Sequence, residues 1–342
     1  MKHIGMDVHS TTTDISVVNN RGKEVLYRQV KSTKEELVGL IKSIRGSKRA
    51  TVEESQMADW VARALMPHVD EIIRCQPRHN RLVSQSESQN DKLDARRLAK
   101  LLWLDELKSV HHPDELFVTL REGVRSYWRS SWDLTRSKNR LKAFYLFHGI
   151  HRTGKQVYSQ RGRNARYQEL EEKSANLELA RCLYLQLDQA RDLKAKQTRM
   201  LGQLFKPVAG AVRRLKTIPG VGRIGAYTLV AYLERGWRFH NKRRLWKYGG
   251  LAKRESTSRG QGTEGASKSG NRRVKNVALT AVAAISTGAT ENALWRIWKR
   301  GMDQGMDPRC LRRTVGRKVL VIAQCLLRSG QEYDDERVMI SL

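Results

Sequence analysis

Residues 2–8 (KHIGMDV), 14–20 (DISVVNN) and 24–30 (EVLYRQV) are short runs of β-branched and apolar residues separated by polar turns, the pattern of a three-strand meander. From 33 to 44 (TKEELVGLIKSI) the apolar positions move to helical spacing behind Thr33, an N-cap candidate. A strand over 49–54, a helix over 57–69, a strand over 71–77 and a helix over 91–102 complete the first hundred residues. The order strand, strand, strand, helix, strand, helix, strand, helix predicts an α+β domain.

Between 113 and 205 the period changes. Leu120, Val124, Tyr127, Leu134, Leu141 and Tyr145 form one helical stripe, and Ala180, Leu183, Leu187, Ala190, Leu201 and Leu204 form a second. The polar, glycine-containing segment between them predicts an antiparallel helical hairpin of coiled-coil type. Ser131, Lys138 and Lys194 interrupt the stripe, so a helical linker packed on its own domain stays open as the alternative. After Pro207 the chain becomes mainly α. It has a Gly-rich turn at 218–226, a Ser/Gly/Lys-rich loop at 252–270, and helices at about 274–285 and 310–328. The expected domains are 1–112, a connector at 113–206, and 207–342.

Charge turns this architecture into a class of partner. The 342 residues include 65 Lys or Arg against 35 Asp or Glu, a net charge of +30. Such an excess calls for a polyanion, and nucleic acid is the usual one. An anionic membrane fits less well, because the most apolar stretch, Val319 to Leu327, is too short to span a bilayer and is flanked by Arg317, Lys318 and Arg328. Residues 211–280 carry 17 Lys or Arg and 3 Asp or Glu, whereas residues 1–110 carry 19 and 15. The C-terminal part is therefore built to lie on phosphates, and the N-terminal part has a use for acid. Asp7 inside the first apolar run argues against a secretory signal. Cys75, Cys182, Cys310 and Cys325 form no CxxC pair, which favours a reducing, bacterial-type cytoplasm over disulfides or a zinc ribbon.

The acids of the N-terminal part suggest chemistry. Asp7 sits in the first strand among apolar residues, where a carboxylate is costly unless it is solvated or paired. Glu53 and Glu54 end the fourth strand, and alternation lets only one of them face inward. Asp91 and Asp94 share one face of the following helix. Singly, each reads as a cap or a solvated surface acid. Together they can converge at one end of the sheet, where repulsion demands a divalent cation, and hard oxygen ligands favour Mg²⁺ or Mn²⁺. Two such ions about 4 Å apart stabilise the attacking and leaving oxygens of phosphoryl transfer.

The element order resembles that of the RNase H fold, which implies a mixed sheet with the first and fourth strands side by side at its centre. MDVHS, TVEES and QNDKLDARRLAKLL resemble the three acidic motifs of the DEDD, RuvC-like domain of the IS110 group of insertion-sequence transposases, bridge-RNA-guided recombinases. IPGVGRIGA, RFHNKRRLWKYGGLAKRES and the SKSG turn are similar to the group's C-terminal transposase domain. The resemblance implies Mg²⁺-dependent DNA cleavage with a covalent 5′-phosphoserine link. It also implies target and donor DNA, a structured guide RNA, and a homo-oligomer, dimer or tetramer. By motif match the acids are Asp7, Glu53, Asp91 and Asp94, with Glu54 the alternative to Glu53. The nucleophile falls at Ser256 in GLAKRESTS, with Ser267 second; Ala252 and Thr257 depart from the group's usual Pro and Gly.

A serine hydroxyl needs activation, and Lys253, Arg254 and Arg259 are placed to stabilise the phosphate it attacks. The alternative is a basic loop in which Ser256, Ser258, Ser267 and Ser269 are polar filler. The Gly-rich turn resembles a helix-hairpin-helix, with Gly220 and Gly222 letting backbone N–H groups approach a phosphate; a tight helix connection is the equal alternative. Lys242, Arg243, Arg244 and Lys268 add phosphate contacts, and Trp237, Trp246 and Tyr248 are candidates for base stacking, a core role being at least an equal alternative for Trp246. His9, His111 and His112 have no metal-ligand spacing and read as structural. A water-using RuvC-like nuclease and a non-catalytic nucleic-acid scaffold are the competing functions.

Overall fold

The computed structural model describes residues 1–75, 91–107, 109–151, 155–173, 175–254, 265–266, 269–288 and 290–340. They form two compact units, Met1–His112 and Pro113–Leu342.

In the first unit β1 (Lys2–Val8), β2 (Thr12–Val18), β3 (Glu24–Lys31), β4 (Lys48–Glu53) and β5 (Glu71–Cys75) build one sheet in the order β3-β2-β1-β4-β5. β1 and β4 are adjacent and parallel at its centre, as the likeness of the element order implies; β1–β2 and β2–β3 are antiparallel. β2 ends two residues earlier than its sequence suggests. The Asn19 carboxamide oxygen accepts from the backbone N–H groups of Arg21 and Lys23, at 2.9 and 3.1 Å, and so starts the turn there. Thr33 caps α1 (Lys34–Ser43) by accepting from the Glu36 N–H. α2 (Ala58–Leu65) gives way to a 3₁₀ turn at Met66–His68, where Pro67 cannot donate to an α-helical ladder.

The two sheet faces differ in chemistry. Ile4, Met6 and Val8 of β1, Ile15 and Val17 of β2, and Ala50 and Val52 of β4 form a core with Leu37 and Ile41 of α1 and Val61 and Leu65 of α2. The opposite face is covered by α3 (Asp91–Trp103), which packs on β1, β2 and β4. Gly5 makes this possible: a Cβ there would stand 2.3 Å from Ala95 O and Ala99 N. Odd-numbered positions of β1 thus face α3, and Asp7 is one of them.

In the second unit α4 (Glu115–Phe147) and α7 (Leu177–Leu204) run antiparallel, with α5 (Lys155–Tyr158) and α6 (Arg163–Glu172) between them in the chain. The Tyr145 and Tyr184 hydroxyls lie 2.8 Å apart near one end of the pair, and Gln197 Nε2 donates to Ser126 Oγ at 2.9 Å near the other. Leu134, Leu141, Leu170 and Leu187 fill a small core toward the tip. At the base Phe117, Leu120, Val124, Leu201 and Phe205 join the main core of the helices that follow.

Those helices are α8 (Ala209–Lys216), α9 (Arg223–Leu233), α10 (Lys242–Tyr248), α11 (Arg272–Thr287), α12 (Ala293–Asp303), α13 (Pro308–Ser329) and α14 (Asp335–Ile340). From Ala226 to Leu233 every residue of α9 is buried, the signature of a central helix. A two-stranded ribbon, β6 (Lys253–Arg254) and β7 (Gly265–Ala266), separates α10 from α11. No helix among the described residues is long and apolar enough to cross a membrane.

Candidate metal centre and nucleic-acid interface

The parallel register pairs Met6 with Val52, so the next step along both strands sets Asp7 beside Glu53 at the C-terminal ends of β1 and β4. Val52 belongs to the apolar core, so alternation turns Glu53 toward α3, the side that Asp7 faces. Burial, then repulsion from Asp7, then repulsion from Asp94, raise the Glu53 carboxyl from 4.5 to about 7, against an opposing pull from His9. Those causes locate Asp7, Glu53 and Asp94 as one electrostatic cluster. Glu54 is exposed and couples instead to Arg74. Asp94 accepts from Arg97 Nη1 at 3.1 Å, and His9 Nε2 lies 3.1 Å from Asp7 Oδ2. The backbone of Asp91 opens α3 one turn before Asp94.

Among the described residues no group of three or more His, Cys, Asp or Glu is arranged to hold a metal ion. The donor set nevertheless fits a hard divalent cation. Three acids from β1, β4 and α3 are held near enough to repel one another, and a cation of charge +2 would relieve this beyond what Arg97 and His9 supply.

In the second unit Asn241 caps α10 by accepting from the Arg244 N–H at 2.9 Å, and Lys242, Arg243 and Arg244 project exposed from its first turn. The backbones of Lys253 and Arg254 form β6, paired with β7. Ser256, Ser258, Arg259, Ser267 and Lys268 lie outside the described residues; Ser256 is two positions past the end of β6. Both sides of that loop are anchored, by Arg317 Nε donating to Leu251 O at 2.6 Å and by Asn271 N–H donating to Tyr248 O at 2.6 Å. Gly220 has φ +76°, and a Cβ on it would meet Ala281 O at 2.3 Å, so its glycine is required by close packing on α11. Gly222 is the N-cap of α9 and has open space around it. Both line a cavity of about 380 Å³ that also touches Tyr127 and Trp128.

Comparison with known proteins bears on both units. A profile for DEDD transposases of IS110 elements matches residues 4–148, spanning all four acids, and the profile of the "Transposase IS116/IS110/IS902 family" matches residues 212–296. The chain belongs to the IS110 family of insertion-sequence transposases. It is thus a DNA transposase, and DNA is its partner. No curated protein matches the transposase sequence.

Two features of the transposase's acidic centre escaped the sequence. His9, read as structural for want of metal-ligand spacing, stands just past the end of β1 with its ring nitrogen 3.1 Å from Asp7 Oδ2, a contact the sequence did not reveal. Asp14 sits directly opposite Asp7 in the β1–β2 register and is 1% exposed. Its carboxylate accepts from the Tyr27 hydroxyl and, at 3.1 Å, from Gln29 Nε2. Nearby, Arg96 of α3 clasps Glu24 of β3 through two bonds of 2.7 and 2.8 Å, and Ser16 donates to the same carboxylate at 2.9 Å. The face under α3 is therefore polar, and its hydrogen bonds are largely internal.

Proposed function

We propose that this transposase cleaves and rejoins DNA at an RNase H/RuvC-like carboxylate centre in residues 1–112, with Ser256 of the basic part, 207–342, as nucleophile and a structured guide RNA as the specificity element. The observation that carries the reading is the clustering of Asp7, Glu53 and Asp94 at the C-terminal ends of adjacent parallel strands, with Glu53 pushed up to about 7. Asp91, on the first turn of the helix that bears Asp94, completes the set. Mg²⁺ or Mn²⁺ bound there supplies Lewis-acid stabilisation of the oxygens around phosphorus.

The acids hold that centre, and Lys253, Arg254 and Arg259 offset charge on the phosphate under attack. The Ser256 oxygen bonds to phosphorus, the bond to the 3′-oxygen breaks, and the serine proton ends on that departing oxygen. A 5′-phosphoserine and a 3′-hydroxyl result. Attack by a different 3′-hydroxyl reverses these steps and joins new partners, so no external energy source enters. Lys242, Arg243, Arg244, Lys268 and the N–H groups near Gly220 and Gly222 grip the backbone. Residues 113–206 serve as the contact between copies in a homo-oligomer. Support comes from Leu179, Leu185, Leu193 and Met200, exposed apolar residues within about a third of the α7 circumference.

A nicked substrate that traps the cleaved state tests the chemistry. Denaturing electrophoresis should show a protein–DNA adduct that maps by mass spectrometry to Ser256. Ser256→Ala and Asp7→Ala should each abolish it while nucleic-acid binding persists. Cleavage that leaves free 5′-phosphates and never an adduct would identify a water-using nuclease instead.

A further inference from the structure

Of the three aromatic residues that the sequence offers for base stacking, two are occupied by the fold. The Tyr248 hydroxyl accepts from Arg238 Nη1 at 3.1 Å and from Asn271 Nδ2 at 3.0 Å, and its ring packs on Phe239. Trp246 is half-buried, with Lys242 Nζ and Arg317 Cζ 5.9 and 5.6 Å from its ring centroid. Trp237 differs: it is 66% exposed, the most open tryptophan among the exposed large hydrophobics.

Its turn is held with unusual firmness for a surface segment. Glu234 adopts φ +59°, a conformation that strains a non-glycine residue. It is kept there by Arg121, whose Nη2 donates to Glu234 Oε1 at 2.6 Å. From α13, buried Gln324 donates through Nε2 to Gly236 O and Phe239 O at 2.9 and 2.8 Å. Arg328 donates to the same two carbonyls at 2.8 and 2.6 Å. Four hydrogen bonds thus fix the backbone on either side of Trp237, and the Arg328 guanidinium, itself fixed, lies 4.8 Å from the indole centroid.

An arginine-backed indole on an anchored backbone, with most of its surface open, is what a stacking platform needs. Little main-chain entropy remains to be lost on binding, and the cation nearby suits a polyanion. The surroundings are basic too: on α10, Lys242, Arg243 and Arg244 are exposed, and so is Arg235, which pairs with Asp114 at 2.8 Å. A duplex hides its base faces, whereas an unpaired strand presents them. We propose that Trp237 stacks on an unpaired nucleobase of a single strand, gripped on its phosphates by the neighbouring cations. This rests on the nucleic-acid reading of the basic half and is independent of the chemistry assigned to Ser256.

The test uses the full chain with labelled oligo-dT, oligo-rU and a duplex of equal length, each titrated by fluorescence anisotropy. Trp237→Ala should weaken single-strand binding roughly tenfold, Trp237→Phe should keep most of it, and duplex binding should not change. Crosslinking to 5-iodouracil in the single strands should map to residue 237. Loss confined to oligo-rU assigns the base to RNA, and loss confined to oligo-dT assigns it to a DNA strand; either supports the platform. Equal losses on all three probes, or no loss on any, overturn it. A wild-type chain that binds no strand at all overturns the underlying nucleic-acid reading, a result distinct from failure of Trp237 alone. Because the side chain is exposed, an unchanged melting temperature for Trp237→Ala provides the folding control.

Discussion

Glu53 offers a direct test of the acidic centre without DNA. Its folded carboxyl titrates at about 7, against 4.5 when unperturbed, so between those values the folded chain holds a proton that the unfolded chain has released. Stability contributed by the protonated form is complete below 4.5 and is lost as pH rises through 7. At about 1.4 kcal/mol per pH unit, the rise from 4.5 to about 7 is a loss of about 3 kcal/mol. For a unit of this size that is roughly 10 °C in melting temperature. The measurement is thermal unfolding in EDTA across pH 5 to about 8, for wild type and Glu53→Gln. Wild type should lose stability relative to Glu53→Gln as pH rises, and Mg²⁺ or Mn²⁺ at the upper end should restore wild type far more than the variant. Parallel pH profiles for the two proteins, or metal stabilisation equal in both, would refute the electrostatic account.

Gly5→Ala should push α3 off β1, because the new methyl would fall 2.3 Å from backbone atoms of Ala95 and Ala99. A loss of about 1–3 kcal/mol and a weakened melting response to Mg²⁺ are expected, and a silent substitution would disprove the close approach. Ser256 lies about 160 residues beyond Asp94, in a different compact unit, so we expect acids of one copy to act with the serine of another. Asp94→Ala and Ser256→Ala proteins should each be inactive while their mixture regains activity; a dead mixture under proven subunit exchange would place the site within one chain.

How far the sequence disclosed all this depended on which physical signal was local. The strands were readable because β-branched runs and turn residues mark each element separately, whereas the central pair of first and fourth strands came from the likeness of their order to the RNase H fold. Glu53 and Glu54 could not be separated from residue type alone. The choice follows from register: Val52 enters the apolar core, so Glu53 turns toward α3. Gly220 looked equally suited to approaching a phosphate and to a tight connection, and only the distance to Ala281 O reveals the packing that requires it. Trp246 already read as readily for the core as for stacking, but Trp237 and Tyr248 could not be ranked in sequence because exposure is a tertiary property, set here by Arg317, Arg238, Asn271 and Arg328.

The polar layer beneath α3 explains why the transposase's acids can be held so near one another. An apolar interface would bury Ala95, Leu98 and Ala99 equally well after α3 slipped along the sheet, since greasy contacts are nondirectional. A slip of one residue moves a helical side chain by about 1.5 Å along the axis and turns it by about 100°. That would carry Asp94 out of the cluster. Two contacts forbid it: the Gly5 notch accepts backbone at Ala95 and Ala99 in one register, and Arg96 meets Glu24 through two bonds. A fork of this kind is directional, so it discriminates between registers even where its net stability is small. Asp94 stands two residues before Arg96 on the same helix, which links its position to that clasp. The buried Asp14, satisfied by Tyr27 and Gln29, extends the same logic across β2 and β3: removing either donor would leave a buried carboxylate oxygen unpaired, a penalty of about 1–3 kcal/mol or more. The layer thus exchanges apolar stability for a single seating of the helix that carries the acids.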